Sequence, residues 1–109
     1  MANIRSLLQM PGVVAVGEFD DHGELVDYAG EMSLKIAKVA AMMAKANEAM
    51  GNMQAAGYTE YTGKDGFFPI TGFAVSGPKK SALIVKNCGV FVENDKADFD
   101  ALNKALHEL

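Results

Sequence analysis

The period of the apolar positions changes several times along the chain, and each change predicts an element. Asn3 can cap a short helix that carries Ile4, Leu7 and Leu8 on one face, and Pro11-Gly12 ends it by removing a donor and permitting a turn. Val13 to Phe19 is apolar on both faces, with Val13, Ala15 and Phe19 pointing one way and Val14 and Val16 the other, as expected of a central strand. Asp20-Asp21-His22-Gly23 supplies turn formers, and Glu24 to Tyr28 returns as a second strand, completing a hairpin.

Ser33 then caps a long helix predicted to reach Ala56 and to stop at Gly57, which is free to take a left-handed conformation. At 100° per residue, Ile36, Val39, Met43, Ala46, Met50 and Met53 form a broad stripe that is expected to cover a sheet. Beside it runs a row of small residues, Ala37, Ala40, Ala44, Gly51 and Ala55, which would let another backbone come close. Residues 57 to 66 hold three glycines among polar residues and read as a loop. Phe67 to Ser76 resumes as a strand in which Pro69 favours a sheet edge or a bulge. Ser81 to Lys86 and Val90 to Glu93 follow as strands joined by Asn87-Cys88-Gly89, and Asn94 or Asp95 caps a last helix with Phe99, Leu102, Leu106 and Leu109 on one stripe. The order of helix, two strands, long helix, three strands and helix predicts one α+β domain over residues 1–109, an antiparallel five-stranded sheet covered by helices.

Composition adjusts this picture modestly. A chain of 109 residues, half of them apolar, is long enough to bury a core without metal or disulfide support. A net charge of -4 with scattered basic residues argues against a nucleic-acid partner. The most apolar run, Ile36 to Ala44, is broken by Lys38 and is too short to span a bilayer, so no membrane association is expected. A single cysteine and the lack of a signal-peptide core place the expected compartment in the cytoplasm.

Candidate chemistry is sparse. His22 and His107 fall in different elements without ligand-spaced partners, and they read as surface residues. Glu18, Asp20, Asp21 and Glu24 crowd the first hairpin without a calcium-loop pattern. The segment GKDG at 63–66 lacks the spacing of a phosphate-binding loop, and the lysines of KKSALIVKN read as solubilising strand ends. Cys88 lies at a strand junction, where a thiol could be activated for redox, thiol-transfer or carrier chemistry or simply fill a gap, and packing is the expectation. Tyr58, Tyr61, Phe67 and Phe68 gather around the glycine-rich loop and could close over a small ligand or tuck against the sheet, the latter being favoured. Met43, Met50 and Met53 are expected to fill the core, whereas Met42, at the margin of the stripe, is the better candidate for an outside contact. No cofactor is expected.

The segments LLQMPGV, PGVVAVGEF, the DDHG turn, the alanine-rich helix with NMQAAGYT, ALIVKNCGVFVE and GVFVENDKADF together resemble the roadblock (dynein light-chain) family, and in particular an uncharacterised bacterial roadblock-like group. The resemblance covers almost the whole chain. It implies a profilin-like fold with strand order 2-1-5-4-3 and no catalysis by the domain itself. It also implies homodimerisation through the long helix and third strand, here residues 33–56 and 67–76, and service as a platform or regulator for a protein partner such as a small GTPase. Joined to the small-residue row, it makes Ala37, Ala40, Ala44, Gly51, Ala55, Ile70 and Phe73 the expected dimer contact. The other reading of the residues is a small-ligand sensor or carrier with a pocket near loop 57–68.

Overall fold

A computed structural model describes residues 3–109; residues 1 and 2, within the span of the expected domain, lie outside the described residues. The chain opens with a 3-10 helix, Ile4–Gln9, tighter than the expected α-turn, and Asn3 makes no side-chain cap. Strands β1 (Val13–Phe19) and β2 (Leu25–Gly30) form the hairpin, followed by helix α1 (Leu34–Thr62), strands β3 (Gly72–Ser76), β4 (Lys80–Val85) and β5 (Cys88–Glu93), and helix α2 (Phe99–His107). All neighbouring strands are antiparallel, in the order β2-β1-β5-β4-β3. The α+β expectation and its strand order are therefore what the structure contains.

The sheet is the middle of three layers. On one face Val16, Leu83, Val85, Cys88, Val90 and Val92 pack with Ile4 and Leu7 of the 3-10 helix and Leu102 and Leu106 of α2 to make the main core. On the other face Phe19 packs with Ala41 and Ala44 of α1, flanked by Leu25, Phe73 and Ile84. A bulge in β1 opposite β5, between Val13 and Ala15, breaks the strict alternation, so Val13 joins the Val16 side rather than the Phe19 side.

Strand β2 runs on to Gly30 and β5 begins at Cys88, two residues earlier than the sequence reading, and three larger differences each have a local reason. Helix α1 begins where expected, with Ser33 Oγ accepting the Ile36 N–H at 3.2 Å, but it passes through Gly57 and ends at Gly63. Gly63 takes the left-handed φ of 69° and donates its N–H to the Thr59 carbonyl. Of two glycines able to terminate the helix, the second is used; residues 57–62 are helical, not loop. Residues 67–71 are not strand. The Ile70 N–H is taken by Asn52 Oδ1 at 2.8 Å, which ties this segment to the helix, and pairing with β4 starts at Gly72. Helix α2 is capped by Asp98, whose side chain accepts the Ala101 N–H, not by Asn94 or Asp95. Asn94 is occupied elsewhere: its Oδ1 accepts the Ser81 hydroxyl at 2.6 Å and its Nδ2 donates to the Gly77 carbonyl at 2.9 Å, pinning the β3–β4 turn to the end of β5.

Candidate interaction face

The two faces of α1 are reversed relative to the sequence reading. Ala37, Ala41, Ala44 and Ala55 are the buried residues of this helix, and Gly51 faces Ile70 so closely that an added Cβ would lie 2.7 Å from Ile70 Cδ1. The large stripe points to solvent, with Ile36 53%, Val39 41%, Met43 57%, Met50 67% and Met53 76% exposed. The cause is steric. The sheet already supplies bulk through Phe19, Leu25, Phe73 and Ile84, so the helix can come down on it only with small side chains. Ala37 and Ala44, with half-buried Ala40, thus face the chain's own sheet, Gly51 receives Ile70 of the segment before β3, Ala55 is likewise buried in the subunit, and Phe73 packs beneath the same helix. Met43, Met50 and Met53 do not fill the core; with Met42, 61% exposed, they form an outer apolar surface.

Helix α1, roughly 43 Å long at 1.5 Å per residue, crosses the sheet without covering it. Between its outer flank and the sheet lies an apolar groove of about 320 Å³, with Ile36, Val39 and Met43 on the helix side and Val75, Ala82 and Phe91 on the sheet side. Asn47 also lines it. Close by, Lys45 Nζ sits 5.8 Å from the centre of the Phe19 ring, 3.2 Å from Glu48 Oε1 and 3.8 Å from Asp21 Oδ1. This arrangement holds a cation over an aromatic face and leaves the groove itself uncharged.

The groove is not at loop 57–68, where the alternative reading puts a ligand pocket. Tyr58, Tyr61, Phe67 and Phe68 are all exposed, and the favoured tucking against the sheet does not occur. Extension of α1 carries Tyr58 and Tyr61 outward on the helix, where Tyr58 meets Phe67 edge-on at 5.5 Å between ring centres and its hydroxyl accepts Gln54 Nε2 at 2.6 Å. Cys88 lies in the main core, and burial, helped by the nearby Glu18 carboxylate, pushes its thiol pKa up, away from activation. Asp20 Oδ1 accepts the N–H groups of His22 and Glu24 at 2.9 Å each, and these backbone bonds, that from Glu24 above all, hold its carboxyl below the usual range. The hairpin carboxylates are thus a turn device in which Asp21 also accepts Asn87 Nδ2 at 2.9 Å. His107 Nδ1 lies 2.8 Å from its own helix's Asn103 carbonyl, far along the chain from His22 in the first turn.

Sequence reasoning missed Ala41, Val75, Ala82 and Phe91. Ala41 was recoverable as the i+4 neighbour of Ala37; the strand residues carried no signal, since only the path of α1 decides which part of a sheet stays bare.

The architecture and strand order are those of the roadblock fold. A Roadblock/LC7 domain from Streptomyces avermitilis superposes with a TM-score of 0.77 at 14% identity, over 96% of this chain and 86% of that one. MglB from Myxococcus xanthus gives 0.65 at 18% identity over 88% and 79%, and an MglB with a tetrameric arrangement gives 0.73 at 10% identity over 97% and 81%. The chain itself belongs to the family described as Uncharacterized conserved protein (DUF2173), whose model matches residues 3–108. No curated protein is similar to it in sequence. Among the described residues, no helix is long and apolar enough to cross a membrane.

Proposed function

We propose that this chain is a non-catalytic interaction module that works in the cytoplasm as a homodimer, built on the outer flank of α1, the bare part of the sheet beneath it and the adjoining edge strand β3, and that the pair presents a surface to a protein partner. One observation carries the reading: the exposed stripe of α1 and the uncovered residues of the sheet face form one apolar tract that ends at the sheet edge. The expected contact through the small-residue row is replaced by the stripe beside it, because that row is used inside the subunit.

Magnitudes support a pair. Ile36, Val39, Met43, Met50, Met53 and Val75 are 41–76% exposed. Burying the rest of each is worth roughly 1–2 kcal/mol, so two copies together gain on the order of 12–24 kcal/mol, against an association cost of about 4–15 kcal/mol. The partner class implied by the roadblock likeness is a small GTPase. Size-exclusion chromatography with light scattering tests the pair, and a strict monomer at high micromolar concentration refutes it. Capture from native lysate, compared between wild type and a variant unable to pair, tests whether the dimer is the form that holds the partner.

The groove also favours a second reading, a carrier for a small apolar ligand, since 320 Å³ falls at the lower end of ligand-pocket volumes. A saturable rise in melting temperature with an apolar metabolite, with no change in mass, would replace the first reading with this one.

A further inference from the structure

An open sheet has two edges, and in this chain they are finished differently. The Glu31 amide donates to the Val14 carbonyl at 2.8 Å, and Ala29 and Asp27 stand opposite Val16 and Glu18. Backbone groups alternate sides along an antiparallel strand, so Asp27 and Ala29 bond to β1 and Tyr28, between them, turns its N–H and C=O outward. Both outward groups are occupied. Asp27 Oδ1 accepts the Tyr28 N–H at 2.9 Å, and the Arg5 guanidinium donates to the Tyr28 carbonyl at 3.3 Å. The same guanidinium nitrogen reaches Asp27 Oδ1 at 2.8 Å, so the two side chains close over the strand. To one side, the Gly30 carbonyl accepts the Met32 N–H at 2.9 Å; to the other, a register shift near Phe19 and Leu25 interrupts the ladder.

Strand β3 has no such finish. The Lys86 N–H donates to the Thr71 carbonyl and the Gly77 N–H to the Lys80 carbonyl, which turns the odd-numbered residues toward β4 and leaves Gly72, Ala74 and Ser76 facing outward. Among the described residues, no side chain bonds to these outward backbone groups; Ser76 uses only its hydroxyl, toward Ser81.

We propose that Arg5 and Asp27 guard the β2 edge, denying it to a strand from a second copy of this chain and confining strand pairing between copies to β3. Position is what matters, since the ion pair is 58% and 40% exposed and pairs of that kind add little to stability. An unprotected edge templates another strand. A chain with two open edges would add copies without closing, whereas one open edge stops at two.

The inference rests on the proposed function only in taking β3 as the pairing edge, and the test separates them. Light scattering and electron microscopy are applied to the full chain as wild type, as Arg5→Ala/Asp27→Ala, and as Asp27→Asn, which keeps an acceptor for the Tyr28 amide. The double variant is expected to grow with concentration to at least twice the wild-type mass, while Asp27→Asn stays at the wild-type mass. Adding Ala74→Pro, which removes an outward N–H from β3, is expected to bring the double variant back to a single species of two copies. A double variant that keeps the wild-type mass at millimolar concentration overturns the guard and leaves the proposed function standing. A monomeric wild type overturns the proposed function, and the guard is then judged by the double variant alone: pairing supports it, a monomer ends it. Should the double variant not fold, Arg5→Ala and Asp27→Ala are read singly by the same criteria.

Discussion

Residues 43 and 44 are neighbours in sequence whose side chains leave α1 about 100° apart, one outward and one under the helix, and introducing the same charge at each gives opposite outcomes. Met43 is 57% exposed in the subunit, so glutamate there keeps the fold, with a change within about 0.5 kcal/mol, as for an ordinary surface position. In the pair, the thioether no longer brings its remaining burial, about 1.4 kcal/mol of a full value near 2.5 kcal/mol. Twofold symmetry counts that loss twice, about 2.8 kcal/mol, which weakens the dimer roughly a hundredfold before the desolvation of the new carboxylate adds to it. Ala44 is 6% exposed and lies against Phe19. A glutamate there buries an unpaired charge under the helix at a cost of roughly 3–5 kcal/mol, a large part of the stability of a small domain. Met43→Glu is therefore expected to run as a folded monomer with a wild-type subunit circular dichroism spectrum, and Ala44→Glu to unfold or melt far below wild type. Light scattering at graded concentrations with thermal melts reads both. A Met43→Glu protein with unchanged mass, or an Ala44→Glu protein that melts like wild type, refutes the assignment of the two faces.

Other consequences follow from the same packing. Hydrogen peroxide is expected to oxidise the exposed Met42, Met43, Met50 and Met53 to sulfoxides and to dissociate the pair, with leucine at all four positions conferring resistance; mass spectrometry and light scattering check both. Cys88 is expected to react with thiol reagents at neutral pH far more slowly than in the unfolded chain. Because its folded pKa is raised, its contribution to stability is complete below the unfolded thiol value of about 8.5 and is lost as pH rises through the folded value, so Cys88→Ala should flatten the alkaline limb of the stability profile. Asn94→Ala should cost on the order of 1–2 kcal/mol, because it removes the 2.6 Å acceptor of the Ser81 hydroxyl, which then turns to Ser76 Oγ, and frees the β3–β4 turn; urea denaturation measures it.

Much of the fold was legible because its signals are local. Val13–Phe19, the Asp20–Gly23 turn and the Ser33 cap depend on residues a few positions apart, and each stands where the sequence puts it. The errors came where two residues could do the same job. Gly57 and Gly63 both suit a helix end, and Asn94, Asp95 and Asp98 all suit a cap. The choice was made by partners distant in sequence: Ser81 claims Asn94 from 13 residues away and Asn52 claims Ile70 from 18.

The candidate face was misread for a different reason, and the reason bears on what the face does. Periodicity identifies the rows of a helix but carries no sign, so the larger apolar row was assigned to the core by the usual expectation that bulk is buried. Here the sheet provides the bulk and the helix the small residues, which leaves Ile36, Val39, Met43, Met50 and Met53 with no use inside the subunit. A monomer that needed only to fold could carry lysine or glutamate at these positions, as it does at Lys35, Lys38 and Glu48 of the same helix. A five-residue apolar row beside a bare groove and an unfinished edge, with Arg5 and Asp27 over the opposite edge, is the arrangement that the proposed pairing through β3 requires.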